Sequence, residues 1–252
     1  IGAELRSFFN AFDGARPGDV EAQTGVPPQN QLNFCTGSSV ACRTTCLVLS
    51  GNHPSSTPGV AKKANLTQAL LANPALFVAG LFIGMDSFSQ SQAKQGIDTI
   101  VRLNMLSDIP WYYLCPEIFE EHEDIAFYDY TKTPFWKGTS LGKYYARVAP
   151  LLDLTFSYSG DNEKACARAL EEGYRVAAVF ASASGERVGT VGSGRTTFKE
   201  IMGGSGLVNS DGTMDLFGGR WLAVDGDESD YRIDDPPSSI VCLNLDRKST
   251  RL

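Results

Sequence analysis

Apolar residues come in short runs along this chain, separated by stretches with helical spacing. Seven runs read as strands: Phe77–Ile83, Thr99–Leu103, Ile125–Tyr130, Leu151–Phe156, Arg175–Phe180, Trp221–Val224 and Ile240–Leu243. Between and before them, apolar residues three and four apart predict helices over Thr57–Ala72, Ser87–Gly96, Pro116–His122, Leu141–Ala146 and Asn162–Glu172, with a short one near Glu4–Phe12. The helix over Asn162–Glu172 is the clearest. Ser159 or Asp161 stands where a cap is wanted, Ala165, Ala169 and Leu170 form its stripe, and Gly173 supplies the stop. A strand followed by a helix, repeated along the chain, is the sign of a largely parallel sheet. At this length the pattern predicts an α/β fold, a complete or partial (β/α) barrel. Neither a GxGxxG after a strand nor a GxxxxGK[ST] loop occurs, which argues against the nucleotide-binding open sheets.

Residues 1–31 read as a lead-in, 32–245 as one barrel-like domain, and 246–252 as a polar tail. Ten glycines between Gly185 and Gly219 mark a loop-rich insert near the C-terminal third. Composition adds limits. With 252 residues, 42% of them hydrophobic, the chain can build a core without disulfides. Twenty-two basic against 29 acidic residues leave a net charge of −7. That argues against coating of nucleic acid by bulk electrostatics, while leaving room for a local basic patch. The longest apolar run, Ala75–Met85, is about half of what spans a bilayer, so no membrane partner is expected. No leader pattern shows at Ile1-Gly-Ala-Glu-Leu-Arg6, and the expected location is the cytoplasm.

Candidate chemistry begins with the cysteines. Cys35, Cys42 and Cys46 fall within twelve residues with spacing C-x6-C-x3-C, while Cys115, Cys166 and Cys242 are scattered singly. Thiolates that close converge on a soft ion or on the irons of a cluster. Zinc in a structural site wants a fourth ligand, which His53 or a distant cysteine would have to supply. Three cysteines with an open position suit an iron–sulfur cluster that binds a small molecule. The same residues would also serve as small core side chains.

Leu32-Asn33-Phe34-Cys35 through Cys46-Leu47, with Ser50-Gly51-Asn52 and Ala64-Asn65-Leu66-Thr67, resembles the opening of an uncharacterised family encoded by phages and plasmids. Val101–Asn104 with Ser107–Trp111, Phe127–Lys132, and Val224–Asp227 with Asp230–Arg232 and Asp235-Pro236 extend the resemblance over most of 32–245. The pattern is also similar to barrel enzymes of the radical S-adenosylmethionine type, which usually show C-x3-C-x2-C. The resemblance implies Cys35, Cys42 and Cys46 as metal ligands and an iron–sulfur cluster with S-adenosylmethionine as cofactors. The substrate it implies is a small molecule, a nucleotide or a nucleic-acid base. The other reading is a zinc-stabilised binding or regulatory protein without chemistry.

A parallel barrel works at the carboxyl ends of its strands. Arg102 and Asn104 end one strand on a common face, and Arg102 there would grip a carboxylate or phosphate, or else pair with Asp129. Tyr128 and Tyr130 share a face opposite Asp129, able to stack on a planar ligand or to serve as core tyrosines. Ser157 and Ser159 end the next strand, where they would bind an anion or cap the helix. Asp108 and Lys132 are the candidate catalytic residues; Arg102, Asn104, Tyr128, Tyr130 and Ser157 are the candidate substrate-binding set. The acidic stretch Asp225–Pro236 starts like a calcium loop, but Asp230 and Pro236 stand where Gly and Glu are required. It reads as a solvated turn. Two histidines and no GxSxG give a Ser–His–Asp hydrolase little support.

Overall fold

A computed structural model describes residues 34, 35, 37–39, 42, 65–180 except 67 and 106, and 208–244 except 227 and 230. Seven strands form one sheet: β1 (Thr99–Val101), β2 (Ile125–Thr131), β3 (Leu152–Ser157), β4 (Val176–Phe180), β5 (Thr213–Leu216), β6 (Gly219–Asp225) and β7 (Ser239–Asn244). Their order is β1-β2-β3-β4-β7-β6-β5, and every neighbouring pair is parallel except β5 with β6. The expected parallel α/β sheet is present, but it is not closed into a barrel. Among the described residues, β1 pairs only with β2, and β5 pairs with no strand but β6.

Among the described residues, the helices that accompany the strands include α1 (Pro74–Ala93), α2 (Trp111–Leu114), α3 (Glu117–Glu120), α4 (Gly142–Val148) and α5 (Glu163–Glu171). The expected strand over Phe77–Ile83 and helix over Ser87–Gly96 are both replaced by α1. A short apolar run does not by itself distinguish strand from buried helix. Here Pro74 opens the first turn, the Asn73 side chain accepts from the Leu76 amide at 3.1 Å, and the helix runs on for 20 residues. The helix expected over Thr57–Ala72 survives as helical residues 65–66 and 68–72; its earlier part lies outside the described residues, as does the one near Glu4–Phe12. In α5 neither Ser159 nor Asp161 is the cap. Asn162 holds that position, and its side chain turns back to the preceding loop.

From β1 to β4 each strand lies beside its predecessor. Right-handed crossovers stepping steadily in one direction put their helices on one side of the sheet. The burial of β2 follows, alternating strictly from Ile125 to Thr131. Phe127, Leu152, Leu154, Phe156, Val176, Ala178, Ile240 and Cys242 share the covered face and pack with Ile118, Phe119, Val148 and Leu170 of the helices. The rings of Phe119 and Phe127 meet edge-on at 5.0 Å, and those of Trp136 and Phe156 at 5.1 Å.

The register puts Tyr128, Tyr130, Asp153, Thr155, Ser157, Ala177, Val179, Val241 and Leu222 on the opposite face. At its rim Ile100, Val179 and Leu222 remain 42%, 54% and 40% exposed. Its amino-terminal part is covered by the loop before β7. Tyr231 meets Tyr128 edge-on, Arg175 pairs with Asp153 and donates to the Asp235 carbonyl, and Arg232 pairs with Asp235 at 3.0 Å. Arg232 is only 2% exposed, so this end of the acidic stretch is a buried ion-pair seam where a solvated turn was expected.

Part of the expected loop-rich insert is also regular. β5 and β6 form a hairpin whose central residues, Phe217 and Gly218, both have positive φ (52° and 78°). That is the turn whose twist matches paired strands. A glycine-rich signal therefore marked a tight hairpin at 213–219, while residues 185–207 lie outside the described set.

Candidate functional site

The carboxyl ends of β1, β2 and β3 are tied together by buried polar side chains. After β1 the chain makes a loop closed by Asn104, which is 6% exposed. Its Nδ2 donates to the Ile109 carbonyl at 2.8 Å, and its Oδ1 accepts from the Ile109 amide and the Ser107 hydroxyl. β1 stops at Val101, earlier than expected, so Asn104 is a loop former and does not share a strand face with Arg102. Next door, Asp108 accepts the Lys132 amide at 2.8 Å and so joins the first loop to the end of β2.

Asp129 sits on the covered face of β2. It accepts from the amides of Asn104 and Tyr130, both at 2.9 Å, and its Oδ1 lies 3.5 Å from Arg102 Nε. Burial pushes the Asp129 carboxyl up to about 7, with Arg102 and the two amides opposing. Burial likewise raises Asp108, against the Thr131 hydroxyl and the Lys132 amide. Arg102 reaches across the sheet edge. Its Nε donates to the Asn104 carbonyl at 3.1 Å, and its guanidinium carbon stands 4.5 Å from the centre of the Tyr130 ring. The pairing with Asp129, the alternative to an anion grip by Arg102, is present, and so is the expected split between Tyr130 and Asp129.

Onto this edge the cysteine-bearing segment is seated at three points. The Phe34 carbonyl accepts the Asp108 amide at 2.7 Å. A Cβ on Gly37 would lie 2.5 Å from the Lys132 Cβ and 3.0 Å from the Lys132 carbonyl oxygen, so only glycine permits that approach. The Ser39 hydroxyl donates to the Ser159 carbonyl, and Ser39 Oγ in turn accepts the Cys42 amide at 3.0 Å. Three successive strand ends thus hold one loop. Cys35 and Cys42 are half-buried there.

The structure therefore brings Cys35, Cys42, Arg102, Asn104, Asp108, Tyr130 and Lys132 to one edge. Ser157 ends β3 on the same edge, where its carbonyl accepts from Asn162 at 3.0 Å. Tyr128 lies one step down the strand, against Tyr231. Cys46 and His53 lie outside the described residues. Among the described residues, no three His, Cys, Asp or Glu side chains gather as a metal site. His122 belongs to the core, its Nδ1 at 2.8 Å from the Ile118 carbonyl. Cys115 and Cys166 are buried, which pushes their thiols up to about 11 and about 12. Gly37 and Ser39 were not singled out from the sequence. Their only signal is a Gly and a Ser inside the cysteine spacing, a pattern too common to read without its partners.

These features define an α/β protein on a mostly parallel, open sheet with a cysteine-bearing segment across its carboxyl edge. The family model described as Gene product 88 matches residues 11–251, and the chain belongs to that phage-type, uncharacterised family. No curated protein and no protein of known structure matches it significantly. Among the described residues, no helix is long and apolar enough to cross a membrane.

Proposed function

We propose that this chain is an iron–sulfur protein of radical S-adenosylmethionine-like type, with Cys35, Cys42 and Cys46 as cluster ligands, acting on a nucleotide or related small molecule. One observation carries the reading: the cysteine segment is fastened to the loops after three successive strands, along the carboxyl edge of the sheet. The exposure of the two described ligand cysteines supports the assignment. Cys35 and Cys42 are half-buried on an anchored loop, whereas Cys115, Cys166 and Cys242 are buried in the core. When bound, such a cluster supplies one-electron chemistry through S-adenosylmethionine.

The chain's own residues do the rest. Arg102 is held by Asn104, Asp129 and the Tyr130 ring; this fixes the plane of its guanidinium and leaves the terminal nitrogens to take an anionic group of the substrate. Tyr130 and Ser157 line the sheet face beside it. Lys132 stands next to Gly37 of the cysteine segment and is assigned a catalytic role there with Asp108.

The test is metal and sulfide analysis with a visible spectrum on anaerobically purified protein. About four irons and sulfides per chain, with the chromophore lost in Cys42→Ser and the fold kept, is the expected result. Protein that stays colourless after anaerobic reconstitution overturns the reading. About one tightly held zinc would instead favour a zinc-stabilised binding protein.

A further inference from the structure

Asp108 helps line a small, partly open cavity of about 10 Å³, close to the least room one water molecule needs. Its apolar lining includes Phe119, Phe127, Leu152 and Leu154, and its polar lining includes Asn104, Asp108, Tyr112, Asp129 and Thr131 beside Tyr128 and Tyr130. Tyr112, in α2, is 3% exposed, and its hydroxyl has no hydrogen-bond partner among the described residues. A buried hydroxyl left in that state is costly, and native interiors rarely tolerate it.

The neighbours narrow down what completes it. Asn104 Oδ1 already accepts twice, and the Asp129 oxygens serve two amides and Arg102. A carboxylate has about four acceptor sites, and Asp108 gives one to the Lys132 amide and one to Thr131. Asp108 therefore keeps about two acceptor sites and Asp129 about one, which makes Asp108 the acceptor with more capacity to spare. Arg102 and Lys132 already stand beside the two carboxylates, so the cavity calls for a neutral ligand that both accepts and donates.

We infer that one water molecule fills this cavity, accepting the Tyr112 hydroxyl proton and donating to Asp108. It ties α2 to the residue whose amide donates to the Phe34 carbonyl at the head of the cysteine segment. The inference is independent of any metal. The test combines a high-resolution crystal structure with urea unfolding of Tyr112→Phe. The expected results are one ordered water within hydrogen-bond distance of Tyr112 Oη and Asp108, and an unfolding constant raised about tenfold by Tyr112→Phe. A double-mutant cycle with Asp108→Asn should then be non-additive. A dry cavity, or a Tyr112→Phe variant as stable as the parent or more so, overturns it. If Asp108→Asn does not fold, the crystal structure and the single variant decide.

Discussion

Asp129→Asn is the sharpest perturbation of the carboxyl edge. The folded protein holds the Asp129 proton up to about pH 7, well above the ordinary 3.8, because burial penalises the charge more than Arg102 and two amides reward it. Between those values the folded state binds more protons than the unfolded chain. Stability supplied by this group is therefore complete at the acid end, falls as pH rises toward 7, and is flat above it. At about 1.4 kcal/mol per pH unit, the whole interval caps the loss at about 4 kcal/mol, of which roughly 2 kcal/mol falls above about pH 5.5. An asparagine cannot ionise. Urea unfolding at about pH 5.5 and about pH 8 should show the parent losing roughly 2 kcal/mol more than the variant across that step. Asp108 is raised as well, so some slope should persist in Asp129→Asn. Equal slopes in parent and variant, or parent stability that rises across the step, would refute the argument that burial dominates at Asp129.

Gly37→Ala forces a methyl group to within 2.5 Å of the Lys132 Cβ. It should lift the cysteine segment, speed alkylation of Cys35 and Cys42 and reduce retained metal, with little change in Tm; unchanged alkylation and metal content would count against the seating. Phe156→Ala empties a fully buried position against Trp136 and should cost about 3–5 kcal/mol. Thermal unfolding should register this as a drop of about 10 °C.

Where one face of an element is buried and the other is not, the sequence was readable. Ile125–Tyr130 shows the alternation that the structure keeps, and Ala165, Ala169 and Leu170 mark the inner face of α5. Local pattern failed where length or distant chemistry decides. Phe77–Ile83 is as apolar as a strand, yet its capped continuation to Ala93 makes it helical. The curvature that would close a barrel is a property of the whole sheet and leaves no mark in a single run of residues. For the site, Arg102 beside Asp129 was legible from strand-end position and charge. Gly37 against Lys132 was not, because the residues are 95 apart and the contact consists of the absence of a side chain.

The sheet has one long-range seam. β1 to β4 add one after another from nearby sequence, and β5 with β6 is a hairpin, but β4 meets β7 only by pairing Val176 with Ile240 across 64 residues. Joining the two halves therefore bears most of the loop-closure entropy, and it is the step expected to limit how fast the protein folds. The same arithmetic makes the connection between β4 and β5 forgiving. Doubling its length would cost only about 0.6 kcal/mol, so natural variants and engineered insertions should be accommodated there far more readily than between β1 and β4.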